Sequence, residues 1–79
     1  MDQKLQKYYD DRFSMFVTPG WKDLLEDLES MLEQYEDITK IGDEQTLWYR
    51  KGQVDILQYL LSLKAITEKT FEELQDASN

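Results

Sequence analysis

The residues in this sequence whose types and spacing could do chemistry are mainly the carboxylates of one predicted helix. Seven acidic residues and one lysine fall within residues 22–37, so this stretch carries −6 of the net charge of −8. Four glutamates recur there at three- and four-residue steps, which places them on one side of a helix. Asp37 follows them. This acidic row consists of Glu26, Glu29, Glu33, Glu36 and Asp37.

A metal site is the least favoured use of the acidic row. Metal sites in helical bundles use carboxylates that project inward from several helices, typically with a Glu-x-x-His step. The chain has no His and no Cys, and the row lies opposite the apolar side of its own helix. We therefore expect a solvated face and no metal or other cofactor. The row could also dock a basic partner, or imitate the phosphates of DNA.

A calcium loop is also excluded by the sequence. The segment from Asp37 to Trp48 has Gly42 at its sixth position, as a calcium-binding helix–loop–helix does. Its third and fifth positions are Thr39 and Ile41, and its twelfth is a tryptophan where such a loop needs a bidentate glutamate. We expect no calcium site here.

A concentration of aromatic and basic side chains at residues 47–53 stands out in an otherwise acidic chain. Trp, Tyr and Arg dominate the hot spots of protein–protein interfaces, so we predict a contact surface for a protein partner. Two cations do not make the basic stripe that nucleic acid requires. The predicted contact residues are Trp48, Tyr49, Arg50, Lys51 and Gln53, with Tyr59 further along the same helix.

Gly52 lies inside that predicted helix, where glycine costs about 1 kcal/mol relative to alanine. It falls on one line with Trp48, Ile56 and Leu60 at four-residue spacing. We therefore expect another helix, or the bulky Trp21, to approach the backbone closely at this glycine.

The elements that must position all these residues are helices. Hydrophobic residues make up 41% of the chain and aromatic residues 13%, which is too many for a disordered acidic segment. Apolar residues recur at three- and four-residue steps, which is a helical period. The pattern predicts helices over residues 2–17, 21–38 and 44–64, and a short final helix capped by Thr67.

Turn and cap residues separate these helices. Thr18 is a suitable N-cap and Pro19 a natural first helical residue. Gly42 is expected in the left-handed conformation that ends a helix, and Asp43 is expected to cap the next one. The linkers are short enough to make consecutive helices antiparallel neighbours.

The predicted fold is a single all-α domain over residues 1–79. It is an antiparallel helical hairpin of two long helices, with an amino-terminal helix packed across it and a short carboxyl-terminal helix. No apolar run approaches the ~20 residues of a membrane span, and no secretion signal is visible. We therefore expect no membrane partner, and a location in a host cytoplasm or a virion.

Two stretches of the sequence carry a resemblance to known proteins. They are Met15-Phe16-x-x-x-Gly20-Trp21-x-x-Leu24 and Leu47-Trp48-Tyr49-Arg50-Lys51-Gly52-Gln53-x-x-x-Leu57. Across roughly residues 5 to 63, the chain resembles short helical proteins of unassigned activity that are encoded by tailed bacteriophages. The resemblance implies a viral origin and a non-enzymatic role, and it supplies no catalytic residues.

The functional expectation follows from what the chain lacks and from its small size. No nucleophile–base pair, phosphate loop or metal cluster can be assembled, so we expect no enzyme and no small-molecule substrate. Thin helical cores often gain stability by oligomerising or by binding a larger partner. The sequence therefore predicts a protein–protein interaction module, a phage virion or assembly component acting as an oligomer or bound to a larger protein. The alternative is an acidic phage inhibitor of a host nucleic-acid enzyme that acts by DNA mimicry.

Overall fold

A computed structural model describes residues 1–37 and 41–78, and these residues form four α-helices and no strand. The all-helical class predicted from the sequence is confirmed. Among the described residues, no helix has both the length and the hydropathy needed to cross a membrane. The helices are α1 (Gln3–Phe16), α2 (Pro19–Tyr35), α3 (Glu44–Leu61) and α4 (Leu63–Ser78).

The helices α2 and α3 pack side by side in opposite directions. Near the connecting segment, the guanidinium carbon of Arg50 lies 4.3 Å from the ring centroid of Tyr35. One turn earlier in α2, Met31 borders the same surface groove as Ile56 and Leu57. These two residues lie further along α3 than Arg50. Residue numbers therefore decrease along α2 in the direction in which they increase along α3, so the two helices are antiparallel.

The amino-terminal helix pairs with α4 instead of lying across α2 and α3. The ring centroid of Phe71 lies 5.1 Å from that of Tyr9 and 5.4 Å from that of Phe13. The predicted packing of α1 across the hairpin is therefore wrong. The prediction of a short final helix is also wrong, because α4 has 16 residues and supplies the aromatic partner that α1 needs.

The helices α3 and α4 are separated by Ser62 alone. The Ser62 N–H donates to the Gln58 carbonyl at 3.1 Å, and the Ser62 carbonyl accepts from the Ile66 N–H at 3.0 Å. Thr67 is buried inside α4, where its hydroxyl donates to the Leu63 carbonyl at 2.7 Å. The predicted cap at Thr67 is wrong, because the backbone hydrogen bonds of α4 already begin one turn earlier.

Two of the helix starts are capped as the sequence predicts. The Thr18 hydroxyl accepts from the Trp21 N–H at 3.2 Å, with Pro19 as the first residue of α2. The Asp43 carboxylate accepts from the Thr46 N–H at 2.7 Å and from the Thr46 hydroxyl at 2.9 Å. These two hydrogen bonds favour the charged form and hold the pKa of Asp43 below its usual value.

The carboxyl end of α2 comes earlier than its periodicity predicts. Its last residue is Tyr35, and the N–H of Glu36 closes the final turn by donating to the Leu32 carbonyl at 2.9 Å. The predicted extension to Ile38 lies outside the described residues. Gly42 does not have a positive φ, so its predicted left-handed conformation is wrong.

The four helices form one thin layer. The Cα atoms extend over 52 × 28 × 16 Å, and their radius of gyration is 16.8 Å, against about 12 Å for a compact chain of this length. The most extensive helix contact is between α2 and α3, and α1 packs against α4. Trp48, Tyr49 and Ile56 are exposed, so no other described helix covers the side of the α2–α3 pair on which they lie.

The buried core is small because the layer is thin. The accessible surface is 6277 Å², whereas a compact chain of 9.5 kDa exposes about 5,000 Å². The ring centroids of Phe16 and Trp21 lie 5.2 Å apart at the corner between α1 and α2. No side chain among the described residues is completely buried. The buried apolar residues are Tyr9, Phe16, Trp21, Leu28 and Leu57.

Leu57→Ala tests whether this small core holds the layer together. Leu57 is 5% exposed, so its truncation should lower the free energy of unfolding by about 2–4 kcal/mol. Val17→Ala is the matched control, because Val17 is 81% exposed and should lose no more than about 0.5 kcal/mol. Urea unfolding followed by circular dichroism at the helix band measures both. Equal losses would show that the seam between α2 and α3 does not stabilise the fold.

Candidate protein-binding groove

An open groove lies between α2 and α3 on one broad face of the layer. Its volume is about 550 Å³. A third of the chain's residues are charged, yet every residue that lines this groove is uncharged. We call it the α2–α3 groove. Its lining residues are Met31, Tyr35, Trp48, Tyr49, Gly52, Gln53, Ile56 and Leu57.

The walls of the α2–α3 groove are large apolar side chains that the chain leaves open to solvent. Tyr49 is 70% exposed, Ile56 61% and Trp48 60%. Leu24 is also exposed, and it lies two turns before Met31 on the same side of α2. Isolated apolar residues are ordinary on protein surfaces, whereas a contiguous exposed patch marks a contact site.

Five of the six predicted contact residues lie around this end of the α2–α3 pair. Trp48, Tyr49 and Gln53 line the α2–α3 groove. Arg50 and Lys51 line a smaller cavity of about 320 Å³, which Trp48 also borders. The sixth, Tyr59, is exposed and lines neither opening. The other residues of the smaller cavity are Tyr35, Glu36, Leu47 and Val54.

The two cations of the predicted contact set lie over aromatic rings of the same chain. The Arg50 guanidinium is stacked on the Tyr35 ring, and the Lys51 ammonium lies 5.2 Å from the centroid of the Trp48 ring. Cation–π contacts of this kind are attractive by about 0.5–1 kcal/mol at exposed sites. Both cations thus help to hold the two rings that border the groove.

Gly52 lies at the centre of the α2–α3 groove and is open to solvent. A Cβ atom placed on it would meet no heavy atom within 4 Å. The predicted close approach at Gly52 is therefore wrong, and Trp21 is buried elsewhere, beside Phe16. Without a side chain at this position, the groove remains open between Tyr49, one turn before the glycine, and Ile56, one turn after it.

Gln53 contributes an unsatisfied polar atom to the groove. Its Oε1 is buried and accepts no hydrogen bond from the residues that the structure describes. A buried carbonyl without a donor costs about 1–3 kcal/mol.

No residue of the acidic row lines the α2–α3 groove, although Glu36 lines the smaller cavity beside it. The four glutamates of the row are exposed, and Asp37 is half-buried. Glu29 and Glu33 lie two residues before and after Met31, which places them on the opposite side of α2 from it. Within the described part of the chain, no group of three or more His, Cys, Asp or Glu residues is arranged to hold a metal ion.

The predicted contact residues omit four that line the groove, namely Met31, Tyr35, Ile56 and Leu57, although the apolar surplus of α3 from Val54 to Leu63 was expected to contact a partner. Met31 and Ile56 belong to the apolar stripes of their helices. A residue in such a stripe is buried only if a neighbouring helix covers that side. One feature of the sequence does indicate exposed apolar residues: they cover almost every side of the second half of α3. One neighbouring helix cannot bury all of them.

Comparisons with known proteins add nothing to this geometry. No protein-family model, curated protein or solved structure matches the chain. The candidate site therefore depends on the shape, charge and exposure of the α2–α3 groove.

Gly52→Ala tests the exposure of Gly52 directly. Because an added methyl group meets nothing in the single chain, the better helix propensity of alanine should raise the free energy of unfolding by up to about 1 kcal/mol. Thermal unfolding at low protein concentration measures the effect on the single chain. A loss of stability would show that another part of the chain packs against this glycine.

Proposed function

We propose that this chain is a non-enzymatic protein–protein interaction module that binds its partner through the α2–α3 groove. The observation that carries the proposal is the uncharged, apolar lining of this groove in a chain of net charge −8. Burying an exposed side chain of the size of Ile56 or Tyr49 contributes about 1.5–3 kcal/mol. Several such side chains around one groove make it a favourable docking surface.

The size of the open face supports the same proposal. The helix α3 has 18 residues, so it is about 27 Å long, and two helices side by side with their side chains are about 20–24 Å wide. One face of the α2–α3 pair therefore offers about 600 Å², most of the ~800 Å² that each partner contributes to a standard interface.

The biological setting that we propose is a bacteriophage virion or its assembly, in which the module acts as an oligomer or bound to a larger protein. The support is the resemblance around Gly20-Trp21 and Leu47 to Gln53, together with the small core. On this proposal, the protein is present in the host cytoplasm, in the virion, or in both.

A second candidate function is the inhibition of a host nucleic-acid enzyme by DNA mimicry. It is supported by the four exposed glutamates of the acidic row, which lie between Glu26 and Glu36, the C-cap of α2, and so extend over about 15 Å. On this reading the acidic row, and not the α2–α3 groove, makes the contact.

Site-specific photo-crosslinking tests the main proposal against the alternative. A benzophenone amino acid replaces Ile56 in the groove or Glu29 in the acidic row, and both proteins are irradiated in the cells that make them. We expect a discrete covalent adduct from position 56 and none from position 29. An adduct from position 29 alone would contradict the groove and favour the mimic.

Charge reversal in the acidic row tests the alternative from the other side. Glu26→Lys, Glu29→Lys and Glu33→Lys together should leave the adduct from position 56 unchanged, because these residues line neither the groove nor the smaller cavity. The matched control reverses three exposed glutamates of α4, Glu68, Glu72 and Glu73. Loss of the adduct in the first variant but not in the control would overturn the groove as the contact site.

A further inference from the structure

We propose that the occupant of the α2–α3 groove is a second copy of this chain, so that two layers of helices form an antiparallel dimer centred on Gly52. This inference rests on the proposed function, because it names the partner that the groove binds. Three features of the described residues support it: the surplus of exposed surface, the absence of charge in the groove, and the spacing of Tyr49 and Ile56 around the glycine.

The exposed surface matches what a dimer would cover. The chain exposes 6277 Å², about 1,200 Å² more than a compact chain of its mass. Covering about 600–800 Å² of each copy, close to a standard interface, would remove at least half of this surplus. Two stacked layers of two helices also give a four-helix arrangement, in which apolar stripes find partners on a facing layer.

The charge distribution permits two copies to meet at the α2–α3 groove and disfavours other contacts between them. Each copy has a charge of −8, so most approaches of two copies bring like charges together. The groove is the exception, because its lining is uncharged and Glu29 and Glu33 lie on the opposite side of α2. A strongly basic partner, by contrast, would find its complement at the acidic row.

The positions around Gly52 are self-complementary. Tyr49 precedes the glycine by three residues and Ile56 follows it by four, and both side chains are exposed. When two α3 helices cross in opposite directions at Gly52, the Tyr49 of the first copy faces the Ile56 of the second. On the other side of the crossing, the Ile56 of the first copy faces the Tyr49 of the second. A two-fold interface requires this reciprocal contact. Gly52 lets the two backbones approach because no Cβ stands between them.

Sedimentation equilibrium of the purified chain over a wide range of concentrations tests the second copy. We expect a dimer of about 19 kDa, twice the chain mass of 9.5 kDa, that dissociates on dilution. Ile56→Glu should weaken self-association at least about tenfold, because it places two like charges in the interface. Gln58→Glu is the matched control: it adds the same charge at an exposed position of α3 outside the groove, and should leave the dimer intact.

Two results would overturn the second copy. One is a chain that stays monomeric at the highest concentration, and the other is an equal loss of association in the Ile56→Glu and Gln58→Glu variants. The proposed function fails separately. If position 56 crosslinks to a different protein in cells while the purified chain is monomeric, the groove is a contact site and its occupant is not a second copy.

Disulfide trapping tests the antiparallel geometry, since the chain contains no cysteine of its own. In the proposed dimer, the two Ile56 residues are about 12 Å apart along the axis, too far for a disulfide, whereas Tyr49 of one copy lies opposite Ile56 of the other. Mixed Tyr49→Cys and Ile56→Cys chains should therefore crosslink to each other faster than Ile56→Cys chains alone. Faster linkage of the Ile56→Cys chains alone would contradict the antiparallel crossing at Gly52.

Discussion

The constraint on which the rest of this structure depends is that the helices are paired, chiefly α2 with α3 and α1 with α4, and that no other described helix covers the exposed side of the α2–α3 pair. Each helix therefore buries its side chains mainly towards its partner helix. Leu28, Leu57 and the aromatic residues at the two ends of the layer use these contacts. Other large apolar side chains, among them Trp48, Tyr49 and Ile56, are left open to solvent.

Charge and apolar surface are distributed on different sides of that layer. The acidic row follows one side of α2, while Met31 and Leu24 follow another and face the same way as the exposed rings of α3. Charged residues keep the chain soluble, and their exclusion from the α2–α3 groove keeps one surface available for apolar contact. The two cations near the groove each lie over an aromatic ring, and they line the smaller cavity and not the groove itself.

The parts of the fold that could be predicted from sequence are those with a local cause. Thr18 and Asp43 cap helices because their side chains reach an N–H three residues away, and this needs no knowledge of the rest of the chain. The break between α3 and α4 at Ser62 has no glycine or proline beside it that would have predicted it. The pairing of Phe71 with Tyr9 joins residues far apart in the sequence, so periodicity alone could not place α1.

The candidate site was predictable in residue type but not in position. The aromatic cluster around Trp48 and Tyr49 was found from composition, whereas Met31 and Ile56 lie in the apolar stripes of their helices, and such a stripe does not reveal which of its residues a neighbouring helix covers. Gly52 was expected to be a packed position for the same reason. The phage origin and the non-enzymatic role have no local structural signature, and they stay predictions.

The central claim is that the open face of α2 and α3 is covered by a second copy of the chain. Amide hydrogen exchange at low and high protein concentration measures this most directly, because protection rises where a second copy covers and stabilises a helix. The account predicts that protection of α2 and α3 increases with concentration, most strongly around Gly52. Exchange in these helices that is independent of concentration would contradict it.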